Sequence, residues 1–447
     1  MSDVDQSTPI EGGPAIASHN VAAASWALFC GLALIMVGNG LNGAVLGLRS
    51  EAEGFGLGVS GLVMAAYFAG FLVGTSFAEK ALRAVGHIRV FAALASTASS
   101  AVLVHTVVVD PIVWSVMRFV FGACMAGLYV VVESWLNDLA TNATRGRILA
   151  IYMVVSMGSL SVGQLLLNVA DPSGFSLFVL ASVLVSMALV PVTLSASSAP
   201  PLVVPEPMNV RALVRVVPSG VFSSFCVGAA MGTLLALGAV YGSAVGMSPA
   251  RISLFLAAPM AASVLSQWPI GLLADRFPRR AVMIVVAAVA TVAAAALLVV
   301  PDGSDAAIAA MFVVGAAGYP LYSLTIAYSN DWLPPEQMMG ASAALVRING
   351  IGALVGPLVT AALMAAFDPA AYFVVICVAN AMIAVFMGYR AVVRDALPMS
   401  RQRDYVAFPA RATAIAASLL SRRPAPAKPA GASTGPEPAQ AEQTREP

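Results

Sequence analysis

Residues 195–217, SASSAPPLVVPEPMNVRALVRVV, are a polar, proline-rich interruption in the middle of a 447-residue chain of long apolar stretches. An α-helix needs about 20 apolar residues to span a bilayer. Six such stretches precede the interruption and six follow it, at about 23–48, 58–78, 89–109, 112–133, 148–170 and 175–194, and at about 218–241, 251–274, 281–300, 306–329, 341–366 and 371–391. They are continuously apolar and do not alternate with a period of two, so they predict an all-α membrane protein with twelve transmembrane helices.

The composition excludes an ordinary soluble protein. Apolar residues make up 59% of the chain and charged residues only 10%, whereas soluble domains have about 25% charged residues. The lipid bilayer is therefore the expected solvent. The net charge of +1 argues against a nucleic-acid partner. The four cysteines and three histidines do not have the spacing of a metal site, so we expect neither a metal nor another cofactor.

The same pattern divides the chain into five parts. We expect a polar N-terminal tail at 1–22, a six-helix bundle at 23–194, a central loop at 195–217, a second six-helix bundle at 218–393 and a C-terminal tail at 394–447. The N-terminal tail has no basic residue, unlike a secretory signal. The C-terminal tail is rich in Pro, Ala and Ser, which favours disordered cytoplasmic chain. A short helix near 405–421 on the anionic inner leaflet is the alternative.

Basic residues are concentrated in the loops of one side, which predicts the orientation. If the N-terminus is inside, the inner loops hold ten basic residues: Lys80, Arg83, Arg89, Arg145, Arg147, Arg211, Arg215, Arg276, Arg279 and Arg280. The outer loops hold only Arg49 and Arg251. By the positive-inside rule, both termini are expected in the cytoplasm of a multi-pass protein of the bacterial inner membrane.

Pairs of residues recur between the two halves at a nearly constant offset. Trp135-Leu136 recurs as Trp332-Leu333, an offset of 197, and Asp171-Pro172 recurs as Asp368-Pro369 at the same offset. The halves are therefore predicted to be parallel six-helix repeats, an architecture in which transporters place the substrate between the repeats.

The stretch 271–280, GLLADRFPRR, resembles the signature G-x-L-x-D-R-x-G-R-R of the major facilitator superfamily, with Pro278 in place of the second glycine. The resemblance implies a twelve-helix fold and a latch that holds the two halves together in the outward-open state. Its residues here are Gly271, Asp275, Arg276, Arg279 and Arg280. An ordinary positive-inside loop would explain the arginines but not the acid among them.

The first half contains a weaker counterpart of this motif. Glu79 and Lys80 occupy the acidic and basic positions, although the glycine and the clustered arginines are not preserved. Arg145 and Arg147 complete the set of latch candidates.

Two further stretches resemble the uncharacterised, YcaD-like bacterial branch of the superfamily. They are GNGLNGAVLGLR at 38–49 and GLYVVVESWLN at 127–137, the latter continuing into ATRGRILAIYMVVSMG at 143–158. The similarity to the superfamily covers about residues 23–393. It implies a transporter and brings no substrate with it.

Charged and polar side chains within apolar stretches are the candidate site residues, because they are costly in a bilayer unless they have a function or a partner. Arg118 and Arg347 either bind a substrate anion or hold helix-end carbonyl groups. Glu133 is either a proton-coupling carboxyl or an inner-gate acid paired with Arg145 or Arg147. Asn39, Asn42 and Tyr322 are cavity candidates, since helices one, four, seven and ten line the cavity in the family that the chain resembles.

These features together predict a transporter and no enzyme. The chain has no phosphate-binding glycine loop, so we expect a monomeric secondary transporter that works by alternating access and is coupled to protons. Two intramembrane arginines favour a small anionic or polar solute. A broad-specificity drug or metabolite exporter working as a proton antiporter is the alternative, suggested by 20 methionines.

Overall fold

The computed structural model describes residues 15–140, 144–194, 207–393, 395, 397–403, 405, 408 and 413–417, and leaves undescribed the side chains of 15–25, 145, 401, 414 and 417. Most of the predicted N-terminal tail, half of the central loop and residues 418–447 of the C-terminal tail lie outside this set.

Twelve helices in the described part of the chain are long and apolar enough to cross a membrane, which confirms the prediction. They are α1 Ala15–Ala52, α2 Leu57–Val85, α3 His87–Val107, α4 Pro111–Leu139, α5 Arg145–Leu165, α6 Ser176–Leu194, α7 Pro218–Ala244, α8 Pro249–Arg276, α9 Arg279–Ala296, α10 Asp305–Asp331, α11 Pro335–Ala366 and α12 Ala371–Val393. No strand occurs in the described ranges. Several helices extend beyond their apolar stretches, because helical hydrogen bonding continues into polar ends.

Polar side chains fix where several of these helices begin. Asp110 accepts hydrogen bonds from the backbone N–H groups of Ile112 and Val113 and precedes Pro111 at the first position of α4. Ser248 and Ser304 cap α8 and α10 in the same way. Each cap satisfies a backbone donor that has no partner within its helix, so these turns are specified locally by the sequence.

The two halves pack their helices in the same pattern, as expected for repeats. In the first half, α1 lies against α5 and α6, and α4 lies against α2 and α3. In the second half, α7 lies against α11 and α12, and α10 lies against α8 and α9. Each second-half pair is the repeat equivalent of a first-half pair, so one six-helix arrangement occurs twice.

The halves contact each other through α1 with α7, α2 with α11 and α5 with α8. The side-chain Nδ2 of Asn168 donates to Ser253 Oγ at 2.7 Å, and Ser161 Oγ donates to the Ala257 carbonyl at 3.1 Å. We call the bundle end that holds the last residues of α4 and α8 the tail end, because the C-terminal residues lie there, and the other the opposite end. These contacts bring the halves together toward the opposite end.

Within each half, glycine lets helix backbones approach directly. A Cβ added at Gly122 of α4 would lie 2.0 Å from the Tyr67 carbonyl oxygen of α2. In the second half, a Cβ at Gly228 of α7 would lie 2.0 Å from the Asn349 carbonyl oxygen of α11. Small residues at such contacts are the usual basis of helix association in membranes, where apolar burial between helices gives little driving force.

We expect Gly122→Ala to destabilise the protein by about 1–3 kcal/mol, because the added methyl group must displace the α2 backbone. Gly158→Ala is the matched control, since a Cβ at Gly158 meets nothing within 4 Å. The midpoint of thermal unfolding of the purified protein in detergent measures both. Equal midpoints for the two variants would contradict this account of the α2–α4 contact.

Candidate functional site

A cavity of about 370 Å³ lies between the two halves, bounded mainly by α2 and α11. Aromatic side chains form one wall, with Tyr67, Phe68 and Phe71 all contributed by α2. Polar groups are added by Glu79 of α2 and Arg347 of α11. The cavity therefore offers an aromatic wall and charges of both signs to a small solute.

A second cavity, of about 330 Å³, lies between α5 and α8. Its wall includes Met153 and Met157 of α5, and Gln267 and Asp275 of α8. The helix pair α5 and α8 is the repeat equivalent of the pair α11 and α2. We call the space between the halves at the tail end, which these two cavities flank and to which Thr413 and Tyr405 contribute, the cleft.

The structure places two of the five predicted cavity residues on the wall of the first cavity. Tyr322 and Arg347 line it. Arg118 lies behind the wall, with its guanidinium carbon 4.9 Å from the centroid of the Tyr67 ring and only 5% of its surface exposed. Arg118 can thus act on the cavity through Tyr67 and not by direct contact.

Asn39 and Asn42 lie deeper in the bundle, within α1. Both are buried, at 5% and 0% exposure. Neither side-chain Nδ2 has a hydrogen-bond partner among the described residues. Their neighbour Gly43 faces Arg118, since a Cβ there would lie 3.6 Å from Arg118 Nη2. A buried amide N–H group without a hydrogen-bond partner costs free energy, so this polar patch of α1 lowers the stability of the fold.

Glu79 and Arg347 line the same cavity with opposite charges, which the sequence did not predict. The Arg347 guanidinium acts electrostatically on the Glu79 carboxyl, and both side chains line the first cavity. They come from α2 and α11, hence from different halves. The place of Glu79 in the repeat predicts a latch residue, and no local pattern of the sequence shows which residue shares its cavity.

Glu133 is completely buried near the tail end of α4. The Tyr152 hydroxyl of α5 donates to its carboxylate at 2.8 Å. The backbone N–H of Thr413 lies 3.1 Å from each carboxylate oxygen, and the Thr413 hydroxyl donates as well. The proposed partner Arg147 is exposed, and the Arg145 side chain lies outside the description. The partners that the structure shows therefore include Tyr152 and the C-terminal residues Thr413 and Ala416.

Glu133 differs in charge from the residue at the equivalent position of the second half. At the offset of 197, its counterpart in α10 is Asn330, whose Nδ2 lies 3.0 Å from Ser342 Oγ of α11. An ionisable side chain in α4 and a neutral amide in α10 thus occupy equivalent positions, and each bonds the helix that follows it, through partners that are not themselves equivalent. Packing alone does not require a carboxyl group, since an amide serves at the equivalent position.

The predicted latch residues contact their own half and the C-terminal chain. The Arg279 guanidinium pairs with Asp331 of α10, and both side chains are buried. Arg280 donates to the Arg390 carbonyl at 3.2 Å. Asp275 accepts from the Tyr405 backbone N–H at 2.7 Å. Arg276 and Lys80 are exposed. A latch between the halves stays a prediction, and these contacts instead tie α9 to α10 and α12.

Tyr405, Phe408 and Thr413 of the C-terminal chain bond helices at the cleft. At these residues the chain differs from the solvated tail that the composition favours. The Tyr405 hydroxyl donates to Gln267 Oε1 at 3.0 Å, and Phe408 is fully buried. The residues Ala414–Ala417 form a 3-10 turn, and most of the alternative helix at 405–421 lies outside the described residues. The physical reason for the difference is tertiary structure, because polar groups that face the cleft form hydrogen bonds with the tail. The composition of the tail does not show these partners.

Comparisons with known proteins agree with this architecture. The Major Facilitator Superfamily model matches residues 220–431. An uncharacterised MFS-type transporter of Yersinia enterocolitica is 30% identical over 354 residues, which cover 78% of this chain and 91% of the relative. The uncharacterised MFS-type transporter YcaD of Escherichia coli is 29% identical over 319 residues, or 71% of this chain and 82% of the relative. The crystal structure of the nucleoside transporter NupG shares the fold, with a TM-score of 0.66 and 11% identity over 83% of this chain and 98% of that one.

We expect Asp331→Asn to destabilise the protein by about 3 kcal/mol, because it leaves the buried Arg279 without its charged partner. Asp305→Asn is the control, since Asp305 pairs with Arg251 at an exposed site where ion pairs contribute little. Thermal unfolding in detergent compares them. A larger loss of stability in Asp305→Asn than in Asp331→Asn would refute the role of the buried pair.

Proposed function

Since the chain belongs to the major facilitator superfamily and is a multi-pass membrane transporter of that family, we propose that it moves a small solute by alternating access. The observation that carries the proposal is the cleft between the two halves. It lies at the tail end, while hydrogen bonds join the halves toward the opposite end. Rocking of one half against the other would exchange which end is joined and which is separated.

We propose a small anionic or polar solute as the substrate. Arg347 supplies a positive charge to the cavity wall and Tyr322 contributes an aromatic surface with a hydroxyl. Glu79, from the other half, would then bind a positively charged or hydrogen-bond-donating group of the solute. Because the two charged groups come from different halves, a solute that contacts both would bind best in one arrangement of the halves, which is what a transport cycle requires.

The alternative is a broad-specificity exporter that exchanges protons for a lipophilic solute. The apolar and aromatic part of the cavity wall, formed by Phe68, Phe71 and Val346, is the observation that favours it. Direction of transport and charge of the solute distinguish the two functions.

We propose that Glu133 is the group that couples transport to protons. Three observations support this role: its complete burial, the hydroxyl donor Tyr152 and the amide at the equivalent position of the second half. A buried carboxyl accepts hydrogen bonds from a solute or from neighbouring groups when it is ionised, and these bonds weaken when it is protonated. Protonation of Glu133 would therefore change the binding of the solute or of these groups, which couples that binding to the proton gradient.

Transport into proteoliposomes tests these assignments. Labelled small organic acids and polar metabolites are offered with and without an imposed proton gradient. We expect Arg347→Gln to lower the initial rate about tenfold or more, since it removes a charge-assisted contact. We expect Glu133→Gln to remove the stimulation by the gradient. Arg251→Gln is the matched control, because this arginine lies at the surface of the opposite end. Expulsion of a lipophilic cation, without uptake of any anion or polar metabolite, would favour the exporter.

We propose that the tail end faces the cytoplasm of a bacterial inner membrane, with both termini inside, as the excess of basic residues at that end favours. With the four native cysteines replaced by alanine, Ser173→Cys is expected to react with an impermeant maleimide on intact cells. Arg211→Cys, exposed at the tail end, is expected to react only after permeabilisation. The reverse pattern would invert the topology.

A further inference from the structure

Described residues of the C-terminal chain contact both halves at the cleft. We call them the plug segment; they are Gln402, Arg403, Tyr405, Phe408 and 413–417. Its side-chain and backbone contacts divide into three groups along the chain, from the second half through the cleft to the first half.

The beginning of the plug segment is bound to the second half. Arg279 Nη2 donates to the Arg403 carbonyl at 2.6 Å, and the Arg403 backbone N–H donates to Asp331 at 3.2 Å. The Tyr405 backbone N–H donates to Asp275 at 2.7 Å. The motif residues Asp275 and Arg279 therefore hold the chain's own C-terminal segment in this arrangement.

The middle of the plug segment sits against α10. The Ser323 hydroxyl donates to the Phe408 carbonyl at 2.7 Å and lies 2.9 Å from the Phe408 backbone nitrogen. The Phe408 ring packs 5.8 Å from the ring of Tyr322, a residue of the cavity wall. Ser323 and Phe408 are both fully buried. This part of the segment thus covers the α10 surface that would otherwise face the cleft.

The end of the plug segment contacts α4 of the first half and α11 of the second half. The backbone N–H and the hydroxyl of Thr413 both bond the Glu133 carboxylate, and Thr413 itself lines the first cavity. Ile415 and Ala416 are buried beside it, at 1% and 0% exposure. One continuous stretch of chain therefore connects α4 of one half with α8 and α10 of the other.

We propose that the plug segment is an autoinhibitory element, which occupies the transport cleft and must withdraw before a solute can enter from the tail end. Rocking that closes the tail end would bring Glu133 and Asp275 toward each other, so the residues that lie between them would have to leave the cleft. The segment is held largely by hydrogen bonds, and water replaces such bonds when a segment leaves. Withdrawal is therefore compatible with a repeating cycle.

This inference rests on the proposed transport function, but access to the cleft can be measured without transport. The reporter is Ser323→Cys in a chain whose four native cysteines are replaced by alanine. A charged maleimide is added to the purified protein in detergent, and the rate of labelling is followed. Slow labelling reports a covered cleft, and the rate follows the fraction of molecules in which the segment has left.

Two truncations are compared with the full chain. In the chain that ends at Ser400 we expect labelling to be about tenfold faster or more, because the covering segment is removed. The chain that ends at Ala417 is the matched control and is expected to label as slowly as the full chain. A Ser173→Cys reporter at the opposite end should label equally in all three.

A point variant keeps the proposal testable if the shorter chain does not fold. In the full chain, Phe408→Gly combined with Thr413→Val removes the buried Phe408 ring and the Thr413 hydroxyl bond to Glu133, and is expected to speed labelling severalfold. Met399→Ala, at an exposed position before the plug segment, is expected to change nothing. Labelling that is equally slow after truncation and in the double variant, or already fast in the full chain, would overturn the proposal. Failure of the uptake assays alone would not affect it.

Discussion

The hydrocarbon interior of a bilayer offers no hydrogen-bond partners, and this constraint shapes every level of the structure. Backbone groups are satisfied within twelve helices in the described chain, and glycine contacts bring those helices together where apolar burial gives little driving force. The same constraint makes each buried charge expensive. Arg279 is therefore paired with Asp331, and Glu133 is surrounded by hydroxyl and amide donors.

The internal repeat accounts for the arrangement of the helices, and the candidate functional residues lie where the two halves differ. Asn330 and Glu133 occupy equivalent places, yet only one can bind a proton. Glu79 and Arg347 face one cavity from different halves. In the alternating access that we propose, a solute or a proton would favour one of two arrangements of this symmetric scaffold through its unequal polar groups.

The sequence predicted the helices, their number and the repeat correctly, because hydropathy and spacing are local properties of the chain. Tyr322 and Arg347, predicted as polar residues within apolar stretches, line the first cavity. Their role in transport stays a prediction. Three features could not be predicted. Whether Glu79 and Arg347 line the same cavity depends on how the two halves pack together. The position of Arg118 behind Tyr67 depends on side-chain packing. The hydrogen bond from Thr413 to Glu133 joins residues 280 positions apart in the sequence. The composition of the tail does not predict its contacts, because these depend on the helices that border the cleft.

The central claim is that the two halves move as units about the cleft, and distances between spin labels test it most directly. One labelled pair, Val85→Cys with Phe277→Cys, spans the halves at the tail end, and a second, Ser173→Cys with Ala306→Cys, spans them at the opposite end. Pulsed electron spin resonance on the full chain and on the chain that ends at Ser400 gives the distance distributions. We expect two populations for each pair, with the tail-end distance shortening as the opposite-end distance lengthens. A single distance for both pairs, unchanged by removal of the plug segment, would contradict the account.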